Sequence, residues 1–112
     1  MTEVHVTNEF HAWYEALDAG DSDRVFHVVS LLEARGPTLG APYSRALEGT
    51  RYALRELRVQ AGGRPLRVLY AFDPRRHAVL LLGGDKTGDA RFYERMLPRA
   101  ERLWEEYLTE TG

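Results

Sequence analysis

The sequence predicts an α+β fold, in which an N-terminal strand and a helical hairpin pack on an antiparallel meander sheet that a C-terminal helix follows. Three observations lead there. Two early runs place apolar residues at i, i+3, i+4 and i+7, the spacing of one buried helix face. Between residues 51 and 82, three strand-like runs are joined by connections short enough to demand antiparallel pairing. From residue 89 onward a long amphipathic stretch returns to the helical period.

Residues 3–7 alternate valine with polar residues and read as a short first strand. Thr7 or Asn8 then caps a helix whose Phe10, Trp13, Tyr14 and Leu17 share one face. Residues 18–21 break it, and Asp21 or Ser22 starts a second helix with Val25, Val28, Val29 and Leu32 in the same spacing, ended by Gly36-Pro37. So short a link predicts an αα-hairpin. Residues 37–49 hold two prolines and two glycines among scattered apolar residues, and read as a wrapping loop anchored by Leu39, Tyr43 and Leu47. The meander follows, with strands over 51–60, 66–72 and 77–82. Its turns are Ala61-Gly62-Gly63 and Asp73-Pro74-Arg75-Arg76, the latter with proline at its second position. Residues 83–88 close the sheet. The last helical stretch carries Pro98, which either kinks one helix or opens a second.

At 112 residues the chain is expected to form a single domain, residues 1–112, with one core. An apolar content of 44% excludes a disordered polypeptide, and the absence of cysteine excludes disulfides and thiolate metal sites. No apolar run approaches the roughly 20 residues of a membrane span, and the N-terminus lacks the basic-then-apolar order of a signal peptide. A cytoplasmic protein without membrane attachment is the expectation. His5, His11, His27 and His77 show no ligand spacing, so no metal and no cofactor are assigned. The net charge of −2 conceals an asymmetry: −5 over residues 1–50, +6 over 51–99 and −3 over 100–112. A cationic central segment suits a polyanion or an acidic partner, unless its cations are solvated edge positions.

The period of two sorts the strands. Leu54, Glu56 and Arg58 face one way, with Arg67, Leu69 and Ala71. Leu57 and Val59 face the other, with Val68, Tyr70 and Phe72, and seat the helices. Glu56, Arg58 and Arg67 are thereby expected together on an open face, while Arg55 points away and lies at an edge. A Glu56–Arg67 or Glu56–Arg58 pair serving only the sheet fits the same geometry.

Taken together, the order of elements, the Glu56-Leu57-Arg58 and Arg67-to-Tyr70 strands and the lysine after the last strand resemble the RelE/HigB superfamily of toxins. Within it, GGRPLRVLYAFDPRR, LLLGGDKTGD and RFYERMLPRAERL are similar to the phage-derived Gp49-like branch. The resemblance spans nearly the whole chain and implies a RelE-like fold. It also implies the toxin of a type II toxin–antitoxin system: an endoribonuclease that cleaves messenger RNA on the ribosome without metal and is neutralised by a cognate antitoxin. In that chemistry a ribose 2′-hydroxyl attacks the adjacent phosphate, so arginines stabilise the growing charge and a positioned acid and base move two protons.

Carried over by position, the resemblance makes Arg67 the contact to the scissile phosphate, Lys86 the basic residue after the last strand and Tyr93 the C-terminal tyrosine. Glu56 joins them as a catalytic candidate, and Arg58, Arg55 and Arg91 as RNA-binding residues. The sequence also departs from the pattern. Leu54 and Glu56 stand where the RelE type has lysines, Thr87 stands where it has an arginine, and the HigB-type C-terminal histidine has no counterpart. The general base is left open between Glu56 and Tyr93. A ParE-like, non-nucleolytic poison of DNA gyrase on the same fold is the alternative, and a family member that has lost activity is a third reading.

Overall fold

A computed structural model describes residues 1–111. One five-stranded sheet, in the order β1-β5-β4-β3-β2, forms the middle layer. Its strands are β1 (Val4–Val6), β2 (Ser44–Ala46), β3 (Arg55–Ala61), β4 (Arg64–Phe72) and β5 (Ala78–Asp85). Strands β3, β4 and β5 are the expected meander, whereas β1 adds in parallel to β5 and β2 adds antiparallel to β3, making the sheet mixed. Helices α1 (Asn8–Glu15) and α2 (Ala19–Arg35) cover one face, and α3 (Phe92–Thr111) lies on the other.

Local chemistry sets the boundaries. Thr7 is the cap of α1, its hydroxyl accepting from the Phe10 N–H at 3.0 Å. Helix α2 starts before the expected Asp21, because the Asp18 carboxylate accepts from the Asp21 N–H at 2.8 Å and caps the helix there. Gly62 and Gly63, with φ of 57° and 79°, form the two-residue turn whose twist matches a hairpin.

Three expectations about the strands need correction. Residues 37–49 are not all loop, since Ser44–Ala46 pairs with β3. The strand predicted from residue 51 starts at Arg55, because the preceding residues are drawn to α3: the Thr50 hydroxyl and the Arg51 N–H both donate to Glu101 at 2.8 Å. Gly83 and Gly84 lie inside β5 rather than in a closing turn. A Cβ on Gly83 would stand 2.2 Å from the Trp13 ring, and one on Gly84 would stand 2.9 Å from Phe92, so their bareness lets helices on both faces approach the strand. Pro98 lies inside one continuous helix, settling the two options left by the sequence.

Each face of the sheet has its own core. Val25, Val28 and Leu32 meet Leu57, Val59, Val68, Tyr70 and Leu80 on the hairpin side. On the other side Phe92, Met96, Ala100, Leu103 and Trp104 meet Leu54, Leu69, Ala71, Val79, Leu81 and Leu82. Leu81 and Leu82 both join that second core because the β4–β5 register slips between Leu69 and Tyr70. The face predicted to be open is therefore largely closed by α3. The strands do sort as the period of two requires, and Glu56 and Arg67 share the α3 side, but both are buried there.

Candidate active site

Glu56, the second residue of β3, is fully buried, where an unpaired carboxylate would cost several kcal/mol. Three neighbours compensate it, each brought by a different element. Tyr93, in the first turn of α3, donates its hydroxyl to Glu56 Oε1 at 2.6 Å. Arg45 sits directly opposite Glu56 in the β2–β3 register and donates Nε–H to Oε2 at 2.9 Å. Arg67 approaches from β4, with Nε 3.6 Å from Oε1. That Nε–H has no hydrogen-bond partner among the described residues, and Arg67 otherwise donates from Nη1 to the Leu66 carbonyl at 3.1 Å. Lys86, one residue past β5, holds its Nζ 5.6 Å from the centroid of the Tyr93 ring, within cation–π range.

Electrostatics fix the protonation of this group. Burial, and then the bond to the Glu56 carboxylate, push the Tyr93 phenol above its ordinary range, so it is a proton donor at neutral pH and not a phenolate. The bond to Glu56 likewise raises Arg45, keeping its guanidinium charged.

Two clefts open beside the partners of the carboxylate, and Glu56 itself lines neither. One, of about 410 Å³, is lined by Arg45, Leu47, Glu48 and Tyr93. The other, of about 510 Å³, lies at the free stretch of the β3 edge and is lined by Arg24, His27, Tyr43, Arg58 and Arg67. Buried Glu56 is thus reached through Tyr93 and Arg45, while Arg67 stands just beneath the surface where the second cleft meets it.

Four of the residues singled out from sequence, Glu56, Arg67, Lys86 and Tyr93, are brought together. Arg58 is exposed opposite Arg67, and Arg91 is exposed just before α3, with Nε 4.0 Å from Glu94. Arg55 is set apart: it lies on the hairpin side, its Nε–H directed at Ser44 Oγ at 3.2 Å and at the Tyr70 hydroxyl at 3.4 Å. Sequence reasoning missed Arg45. No signal pointed to it: Tyr43-Ser44-Arg45-Ala46-Leu47 does not alternate with period two, and it lies in a segment read as loop.

Residues 12–105 match the family described as phage derived protein Gp49-like. A Mycobacterium tuberculosis protein named "Putative toxin HigB3" is 41% identical over 98 residues, covering 86% of this chain and 84% of that protein. A second, "Putative toxin HigB2" of the same organism, is 35% identical over 102 residues, covering 88% of this chain; the match spans about half, 51%, of that longer relative. Among solved structures, a chain of the archaeal RelE–RelB complex from Pyrococcus horikoshii superposes with a TM-score of 0.58 at 19% identity, over 78% of this chain and 97% of that one, a likeness of fold. This chain belongs to the phage-derived Gp49-like family, is homologous to the HigB proteins and carries a RelE-like fold.

Proposed function

We propose that this protein is the toxin of a type II toxin–antitoxin pair and that it cleaves messenger RNA at the Glu56–Tyr93–Arg67 cluster. The observation that carries the reading is the fully buried Glu56, satisfied wholly by side chains, with a protonated tyrosine linking it to the cleft that Arg45 also lines. A fold does not require such a carboxylate inside a sheet, since replacing a buried ion pair by apolar residues of like volume is often neutral or stabilising.

The chemistry balances as a transesterification. The ribose 2′-oxygen bonds to phosphorus and the bond from phosphorus to the 5′-oxygen breaks, leaving a cyclic phosphate and a 5′-hydroxyl. Tyr93 accepts the 2′-hydroxyl proton as it passes its own to Glu56, so the pair serves as base without a free phenolate. Arg45 and Arg67 offset the charge that gathers on the phosphate oxygens. Lys86 protonates the departing 5′-oxygen. Arg58 and Arg91 hold flanking phosphates, whereas Arg55, on the far face, takes no part. Because the substrate supplies the nucleophile, DNA is not cut. A cognate antitoxin docks near the basic clefts or beside α3, and the substrate is engaged on the ribosome.

The test is to induce the chain alone in a bacterial host and map RNA 5′ ends, beside Arg67→Ala made at equal level. Wild type is expected to arrest growth with new 5′ ends, and Arg67→Ala to cleave about 10²–10³-fold less. Equal arrest by both would overturn the reading. DNA damage and filamentation with intact messenger would indicate a gyrase poison instead.

A further inference from the structure

A second cluster stands at the other edge of the sheet. The parallel pairing of β1 with β5 sets Val4 opposite Ala78, so Glu3 and His5 flank the position next to His77. Glu3 Oε2 lies 2.8 Å from His77 Nε2 and 3.5 Å from His5 Nε2. The two imidazoles stack with centroids 4.6 Å apart and planes 12° apart.

The arrangement behind His77 is what gives this cluster a direction. Its Nδ1 lies 3.2 Å from Asp73 Oδ2, and that carboxylate is itself fixed by the Arg75 and His77 backbone N–H groups at 2.9 and 2.8 Å and by the Tyr107 hydroxyl at 2.9 Å. With Nδ1 turned to Asp73, the other ring nitrogen, Nε2, faces Glu3 and is the atom placed to ligate. His5 Nε2 is buried and has no hydrogen-bond partner among the described residues. These three potential ligand atoms, all within 4.8 Å of one another, can share one positive charge. A proton can serve one pair; a metal ion serves all three. Carboxylate–imidazole support of this kind orients metal-bound histidines.

We propose that Glu3, His5 and His77 form a site for a divalent transition metal of the zinc class, with water completing a four-coordinate shell. Two imidazoles and one carboxylate suit zinc, and disfavour magnesium and calcium, which prefer oxygen ligands. The stacked rings direct their lone pairs side by side, so the ion turns the His5 ring, which is the freer of the two, toward His77. Bound there, the ion clips the first strand to the turn before β5 and, through Asp73 and Tyr107, to the last helix. The site lies apart from the candidate active site: His77 and Gly84, the residue paired with Arg67, are separated by roughly 23 Å of strand.

The experiment uses the untagged full chain freed of metal by EDTA and titrated with zinc chloride, read by calorimetry and thermal melting. One zinc per chain is expected, with a melting temperature raised by several degrees and returned by EDTA. Glu3→Gln and His5→Asn, at partly exposed positions that fold readily, are expected to weaken binding at least tenfold, as is His77→Asn. His11→Asn, on α1, is expected to bind as wild type does. No melting shift at a hundredfold excess of zinc would overturn the site, and so would unchanged binding by Glu3→Gln and His5→Asn together.

Discussion

Helix α3 carries a tyrosine near each end, and each donates to a buried carboxylate of the sheet layer, yet the two ends are built differently. At one end Tyr93 meets Glu56, whose other partners are the side chains of Arg45 and Arg67. At the other, Tyr107 meets Asp73, which also accepts from two backbone N–H groups of its own turn. Both phenols are pushed up by burial and by their carboxylates, Tyr107 to about 12. A carboxylate that satisfies backbone donors is building the chain's path, since those donors have no other partner among the described residues. One that satisfies only side chains builds nothing the backbone requires. On this contrast Asp73 is read as part of the fold, and Glu56 is the carboxylate proposed for chemistry.

The largest effect is expected from removing a single oxygen at the first end. Tyr93→Phe leaves the ring in place against Phe92 and under Lys86, but removes the hydroxyl that bonds Glu56 and with it the proposed proton relay. Cleavage of a model RNA by purified protein should fall about 10²–10⁴-fold. Stability should fall by only about 1–3 kcal/mol, the cost of a buried acceptor that has lost one donor. A variant that melts at lower temperature but cleaves at the wild-type rate per folded molecule would move Glu56 to the structural side and erase the distinction.

How legible this was in the sequence follows from the range of the interactions. The helix faces, the meander and the placing of Glu56 and Arg67 on one side rest on periods of 3.6 and 2, which neighbouring residues carry. Arg45 was hidden because β2 is three residues long in a segment rich in proline and glycine, and only its pairing with β3 puts Arg45 opposite Glu56. The closing of the α3 face was hidden too, because an amphipathic helix does not say which side of a sheet it will cover. His5 and His77 show no ligand spacing, and parallel addition of β1 makes them neighbours. Gly83 and Gly84 resemble a turn until Trp13 and Phe92 are set against them.

A smaller effect, and of the opposite kind, is expected at the second end. Asp73→Ala strands the N–H groups of Arg75 and His77 and frees the Tyr107 hydroxyl. Urea unfolding in the presence of EDTA should show a loss of about 1–3 kcal/mol. Cleavage per folded molecule should be unchanged, because the turn lies far along the sheet from Arg67. A loss of cleavage larger than the loss of folded protein would mean that α3 transmits the disturbance to Tyr93, and that its two ends act as one.

The smallest effect is a matter of pH and concerns Tyr93 alone. Its phenol is held above the ordinary value in the folded chain, by burial first and by Glu56 next. The protonated form is therefore the one the fold prefers. Its contribution to stability is complete below about pH 10, where an unfolded tyrosine begins to ionise, and is lost as the pH rises through the higher folded value. Tyr93→Phe has no such contribution to lose, while every other tyrosine is common to both proteins. The melting-temperature gap between wild type and Tyr93→Phe should be constant from pH 7 to 9 and narrow above pH 10. A gap that widens there would mean that the phenolate is the favoured form beside Arg45 and Arg67. Tyr93 would then be a base in its own right, and Glu56 only its support.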